Sequence, residues 1–162
     1  MNDRPILDMN ADREFFFLES VPQIIDAIKG DEQPAGGMMT IQHMLEHLVL
    51  PLNFAIGTIK VPMFMPEEKI PRQREFLYSE FGLPKNFKPP FLPADQNLPL
   101  MTASLEDAKK VLKETIREFL QTIDAKEFST ETHPVFGPLN KREWLIFQYK
   151  HFHHHFMQFG LV

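Results

Sequence analysis

The stretch Trp144-Leu-Ile-Phe-Gln-Tyr-Lys-His-Phe-His-His-His-Phe-Met-Gln-Phe159 decides how this chain is read, because it carries four of the seven histidines, His151, His153, His154 and His155. It reads as one helix. Asn140 is placed to cap it, Glu143 three residues on completes a capping box, and Gly160 is the stop signal. At about 100° per residue, Leu145, Tyr149, Phe152, Phe156 and Phe159 share one arc, which predicts a buried stripe. His151 and His155 stand four apart at the edge of that arc, with Gln148 and Gln158 on the same flank. His153 points to the opposite side and His154 lies off the arc, so both are expected to meet water.

Two imidazoles one turn apart, with a rise of ~6 Å between them, can bring ring nitrogens to a single metal ion. They need a third ligand from elsewhere. The segment Gln42-His-Met-Leu-Glu-His47 is the best supplier. There Ile41, Met44, Leu48, Leu52 and Ala55 form the apolar arc of a second helix, and His47 sits at its edge. His43 is one turn earlier and rotated further out, which makes it the second choice. The competing reading is that these histidines are ordinary core or surface residues.

Composition narrows the options. A chain of 162 residues, 43% hydrophobic and with 16 phenylalanines, can bury one core as a single domain over residues 1–162. A net charge of −5 and no basic stripe argue against nucleic acid as a partner. Without cysteine there is no thiolate ligand or nucleophile, so any metal must rely on nitrogen and oxygen, and any thiol must arrive on a substrate or cofactor. The acidic residues scattered through Met1–Glu19 do not fit a signal peptide, and no run approaches the ~20 apolar residues of a membrane span. A cytoplasmic, soluble protein is expected.

Along the chain, Asp12 caps a first helix to about Ile28, with Pro22 threatening a kink. Asp31–Met39 is a loop. Thr40 caps the second helix, which extends to about Lys60. Within it Pro51 cannot donate to the carbonyl of His47. Val61–Pro99 holds eight of the fourteen prolines. It predicts a short helix at about Arg72–Phe81 and an extended run through Phe87–Pro93, packing either as a lid over a pocket or at a subunit interface. Ser104 caps a third helix to about Ile123, on which Ala108, Val111, Leu112, Thr115, Ile116, Phe119 and Leu120 face inward while Lys109, Lys110 and Lys113 face water. Thr132–Leu139 reads as turns, with His133 a turn residue before Pro134. Four amphipathic helices without convincing strands make an all-α, four-helix bundle with a long proline-rich crossover connection.

Met44-Leu-Glu-His47 and His151-Phe-His-His-His155 with Gln158 resemble the DinB-like superfamily of metal-binding four-helix bundles. The run His133-Pro-Val-Phe-Gly-Pro-Leu139, then Trp144, then Tyr149–Gly160 is similar to a branch of unassigned function, and the likeness covers most of the chain from about Gly37. The resemblance implies His47, His151 and His155 as metal ligands, commonly a homodimer, and relatives that include thiol-dependent transferases and isomerases. Fold alone does not transfer those activities.

Three neutral imidazoles with a position left open are the form of a catalytic metal site. Zinc fits this donor set best, with nickel and iron(II) also compatible. A bound ion could bring the pKa of water to about 7 or deprotonate a substrate thiol. Glu46 points ~100° away from His47 and is a poor general base. The reading is a metal-dependent enzyme acting on a small molecule, a hydrolase or a transferase using an external thiol cofactor. The alternative is a non-catalytic bundle that binds metal or mediates dimerisation.

Overall fold

The computed structural model describes residues 4–85, 97–125, 127–128 and 130–162. Among these it is mostly helical. The extended reading of Phe87–Pro93 lies outside the described residues.

Helix α1 starts on Asp12, whose carboxylate accepts from Phe15 N at 3.0 Å. It is α-helical at Arg13–Phe15 and Val21–Asp26, and passes through a π turn at Phe16–Ser20. In that turn Val21 N reaches back to Phe16 O. The extra residue moves Pro22 into the opening turn of the next α segment, where a missing N–H costs little. Proline is therefore accommodated without splitting the element.

Helix α2 spans Ile41–Ile56, and its cap Thr40 Oγ1 accepts from His43 N at 3.2 Å. It stops short of Lys60 because Gly57 takes a left-handed φ of 91° and closes onto Asn53 O. A side chain at Gly57 would also displace the Glu131 carboxylate, since its Cβ would lie 2.9 Å from Oε1. Pro51 lies inside the helix and is buried.

Helix α3, Ile70–Tyr78, follows a 3-10 turn at Glu67–Lys69. It begins and ends earlier than the expected Arg72–Phe81. Pro71 suits a first turn, and residues 80–82 pair with the N-terminal segment instead of continuing the helix. Leu7 N donates to Glu80 O and Gly82 N to Pro5 O, both at 2.8 Å, and Phe81 bridges Ile6.

Helix α4, Leu105–Asp124, is capped by Ser104, which accepts from Asp107 N at 3.1 Å. Two side chains depart from the expected faces. Val111 is exposed, and Lys109 is buried with Nζ on Ile28 O at 2.6 Å. A long lysine can lay its stem along the core and spend its charge on the carbonyl at the end of α1.

The turn-rich segment before the last helix forms a small hairpin, β1 Glu131–His133 and β2 Gly137–Leu139, in antiparallel register. Three-residue strands carry too little alternation to be read from sequence. Gly137, at φ 77°, makes the turn. His133 holds it from inside, its Nδ1 accepting from Val135 N at 3.0 Å and Phe136 N at 3.4 Å.

Helix α5, Lys141–Gln158, is the central element. Both arms of its capping box are present, Glu143 N to Asn140 Oδ1 at 2.9 Å and Asn140 N to Glu143 Oε1 at 3.1 Å. The predicted stripe of Leu145, Tyr149, Phe152, Phe156 and Phe159 is buried, but so are Trp144, Ile146, Phe147, Gln148, Lys150, His151, His154 and His155. The helix is wrapped on nearly every side by α1, α2, α3 and the hairpin. His154 is therefore not the solvated residue its angle suggested, and His153 is half-buried beside Tyr149. Aromatic edges fill the centre, with Phe17 meeting Phe152 at 5.1 Å and 90°, in one continuous core.

Charged side chains clamp α3 onto this axis. Glu143 accepts from Arg74 and from the Tyr78 hydroxyl, and Arg74 also donates to Pro138 O at 2.8 Å. Lys150 donates to Phe76 O, Ser79 O and Phe81 O at 2.8, 2.8 and 2.6 Å. Three carbonyls at the end of α3 satisfy all three donors of one buried ammonium.

Candidate metal centre

α2 and α5 pack so that the edges carrying the histidines face each other. His47 comes from the turn of α2 before Pro51; His151 and His155 come from successive turns of α5. The three rings form a near-equilateral triangle, with centroids 4.9 Å apart for His47–His151, 4.7 Å for His47–His155 and 4.9 Å for His151–His155. One ring nitrogen from each lies within 4.8 Å of the other two.

The remaining residues named from the sequence fall outside the triangle. His43 turns back to its own cap, Nδ1 lying 2.6 Å from Thr40 Oγ1. His154 packs against His155 and hydrogen-bonds to the Leu83 backbone. Glu46 points elsewhere, accepting from Met101 N at 2.6 Å and Thr102 Oγ1 at 2.7 Å. Gln148 is fully buried with neither amide atom paired among the described residues, so it is neither a surface residue nor hydrogen-bonded to His151. Gln158 does orient a histidine. Its Oε1 accepts from His155 Nδ1 at 2.9 Å and its Nε2 donates to Gly36 O at 2.9 Å. Those two bonds fix the amide, put the proton of His155 on Nδ1 and leave its Nε2 lone pair free.

The electrostatics keep the rings uncharged. Loss of solvation, then the neighbouring His154, bring His47 down to about 4. Burial, followed by the mutual repulsion of the clustered imidazoles, holds His151 and His155 well below their ordinary value. A neutral imidazole is the form that binds a metal.

This donor set fits a divalent ion. Two nitrogens on a tetrahedral ion, each at ~2.0–2.1 Å, stand about 3.3 Å apart, and His47 Nε2 lies 3.0 Å from His151 Nε2. One support is missing: His151 Nδ1 is buried without a partner among the described residues.

Beside the triangle opens a cavity of about 340 Å³, with His47 and His151 in its wall. Its other lining includes Phe54, Phe76, Phe136 and Phe147. The described part of the proline-rich link contributes Arg72, Gln73, Phe76, Leu83 and Pro84. The sequence reading missed His133, which is buried, lines the same cavity and is pushed down to about 3 by burial. Only its place between a strand and an aromatic cluster marks it out, and neither was visible beforehand. No described helix is long and apolar enough to cross a membrane.

A family model described as the DinB superfamily matches residues 24–159. The match begins before Gly37, taking in the end of α1. Searches of curated proteins and of solved structures return no match.

Proposed function

Because the chain belongs to the DinB superfamily, we propose that it is a metal-dependent enzyme acting on a small molecule, with His47, His151 and His155 as the ligands of one divalent ion. The observation that carries this reading is the meeting of three neutral ring nitrogens within 4.8 Å of one another, with two of the three residues, His47 and His151, in the wall of a cavity. Zinc suits the all-nitrogen set best, with nickel or iron(II) next. When bound, such an ion supplies Lewis acidity that lowers the pKa of a coordinated water or thiol. The reaction is of hydrolase or thiol-dependent transferase type, the thiol coming from outside because the chain has no cysteine.

The protein's own contribution is positional. Gln158 fixes the His155 ring, α2 and α5 hold His47 against His151, and Phe147 stacks on the His151 ring at 5.5 Å. We read the chain as one domain working in the cytoplasm, and as a homodimer.

One observation favours a second reading. The 3.0 Å contact between His47 Nε2 and His151 Nε2 is also a satisfactory hydrogen bond between neutral rings, as a purely structural, non-catalytic cluster would have. Cobalt(II) substitution separates the two. An enzyme site takes up cobalt, and its visible absorption shifts when a small thiol is added, because a coordination position is open. Cobalt that fails to bind, or a spectrum indifferent to thiol, contradicts catalysis.

A further inference from the structure

The cavity beside the three imidazoles has a charge pattern at odds with the chain as a whole. The chain carries a net charge of −5. Yet the described cavity lining includes two arginines, Arg4 and Arg72, and no carboxylate. Neither arginine forms an ion pair among the described residues, whereas nearby Arg74 is consumed by Glu143 and two carbonyls. Both arginines are exposed members of the lining, and the Arg4 guanidinium lies 5.5 Å from the centre of the Phe76 ring. Phe76 in turn stacks on Phe136 at 6.4 Å and 15°. An aromatic body could lie along these rings while its charged end meets the guanidiniums.

His133 adds an uncharged donor. Its Nδ1 is occupied by two backbone N–H groups, so the ring proton must sit on Nε2. That Nε2 has no hydrogen bond among the described residues, and the residue, though buried, lines the cavity. A fixed N–H of this kind recognises an acceptor atom on a ligand and cannot switch to accepting.

We infer that the cavity binds a small molecule with an apolar, aromatic-sized body and an oxyanion end, the oxyanion held by Arg4 and Arg72 and the body by Phe76, Phe136 and Phe147. This deepens the reading above by naming the substrate class, since the cavity shares His47 and His151 with the metal centre. Carboxylates and phosphate esters share the required chemistry. A guanidinium fork pairs with either, and the volume lies at the small end of ligand pockets, ~300–1,000 Å³.

The test is calorimetric titration of the full chain, with and without zinc, using phenylpropionate, phenyl phosphate and the neutral phenylpropionamide. At least one anion should bind about tenfold tighter than the amide in the metal-free protein. The tighter anion identifies the source. In the double variant Arg4→Gln, Arg72→Gln the preference should vanish while the urea midpoint stays put. Equal binding of anion and amide, binding of none of the probes, or a preference that survives in the double variant would overturn the inference. A preference that needs zinc and ignores the arginines places the anion on the ion, so this inference fails and the metal reading stands. Discrimination by a protein that never takes up zinc leaves this inference intact and removes the metal reading.

Discussion

His155→Ala lowers zinc affinity by more than the ~10–100-fold that loss of an outer-shell partner costs, because no other group among the described residues is placed to replace the missing nitrogen. His154 is engaged with the Leu83 backbone, His43 with Thr40, and Glu46 with the Met101–Thr102 segment. The surviving His47–His151 pair keeps its 3.0 Å contact, so the metal-free fold is expected to persist and the loss is one of binding. Gln158→Leu gives the graded version. It leaves His155 in place but removes the acceptor for Nδ1–H and the tie to Gly36 O, which predicts a drop of ~10–100-fold. Titration against a competing chelator measures both. Equal affinities in wild type and both variants would mean that zinc, if bound, sits elsewhere.

The metal-free protein loses stability steeply as pH falls below the ordinary histidine range, and His133 supplies the cleanest part of that loss. Its folded value is about 3 against an ordinary value of 6.5, and burial is the cause. Above pH ~6.5 neither the folded nor the unfolded chain protonates this ring, so its contribution is fully present. As pH drops below that value the unfolded chain takes up a proton that the folded chain refuses, and stability declines by about 1.4 kcal/mol per pH unit. The decline ends near pH 3, where the folded form protonates as well. His47 adds to it between 6.5 and about 4, in the same direction. Against a typical domain stability of ~5–15 kcal/mol, these rings together can bring acid unfolding up to the middle of that window. His133→Asn isolates the effect. An amide oxygen can accept the Val135 and Phe136 N–H groups as Nδ1 does, but it does not titrate. The variant should therefore show a stability–pH slope shallower by about one proton between pH 6.5 and 4.5. Urea midpoints at four pH values decide it, and identical slopes would contradict the buried, neutral assignment.

Much of this was legible in the residues. Four helix starts were marked by side chains that do cap, Asp12, Thr40, Ser104 and Asn140, because capping is local chemistry and needs no tertiary knowledge. The juxtaposition of His47 with the α5 pair was also accessible, since helical angle places edge residues of two amphipathic helices where packed faces meet. What could not be read depends on long-range packing. A helix wrapped on nearly every side keeps little solvent face, so the angle that sends His154 to water loses its meaning once the Leu83 segment meets it. Lys109 and Val111 exchanged roles for a similar reason: the groove between α1 and α4 offered a carbonyl to a lysine stem. The pairing of residues 80–82 with the N-terminus, which shortened α3, joins segments more than seventy residues apart. Arg4 and Arg72 become neighbours of one cavity only through that pairing.

The most direct measurement is the zinc content of the untagged chain after equilibrium dialysis, compared with His155→Ala under the same conditions. One zinc per chain in the wild type, lost in the variant, is the predicted result. Wild-type chain that emerges metal-free, or a variant that retains its zinc, would contradict a three-imidazole centre.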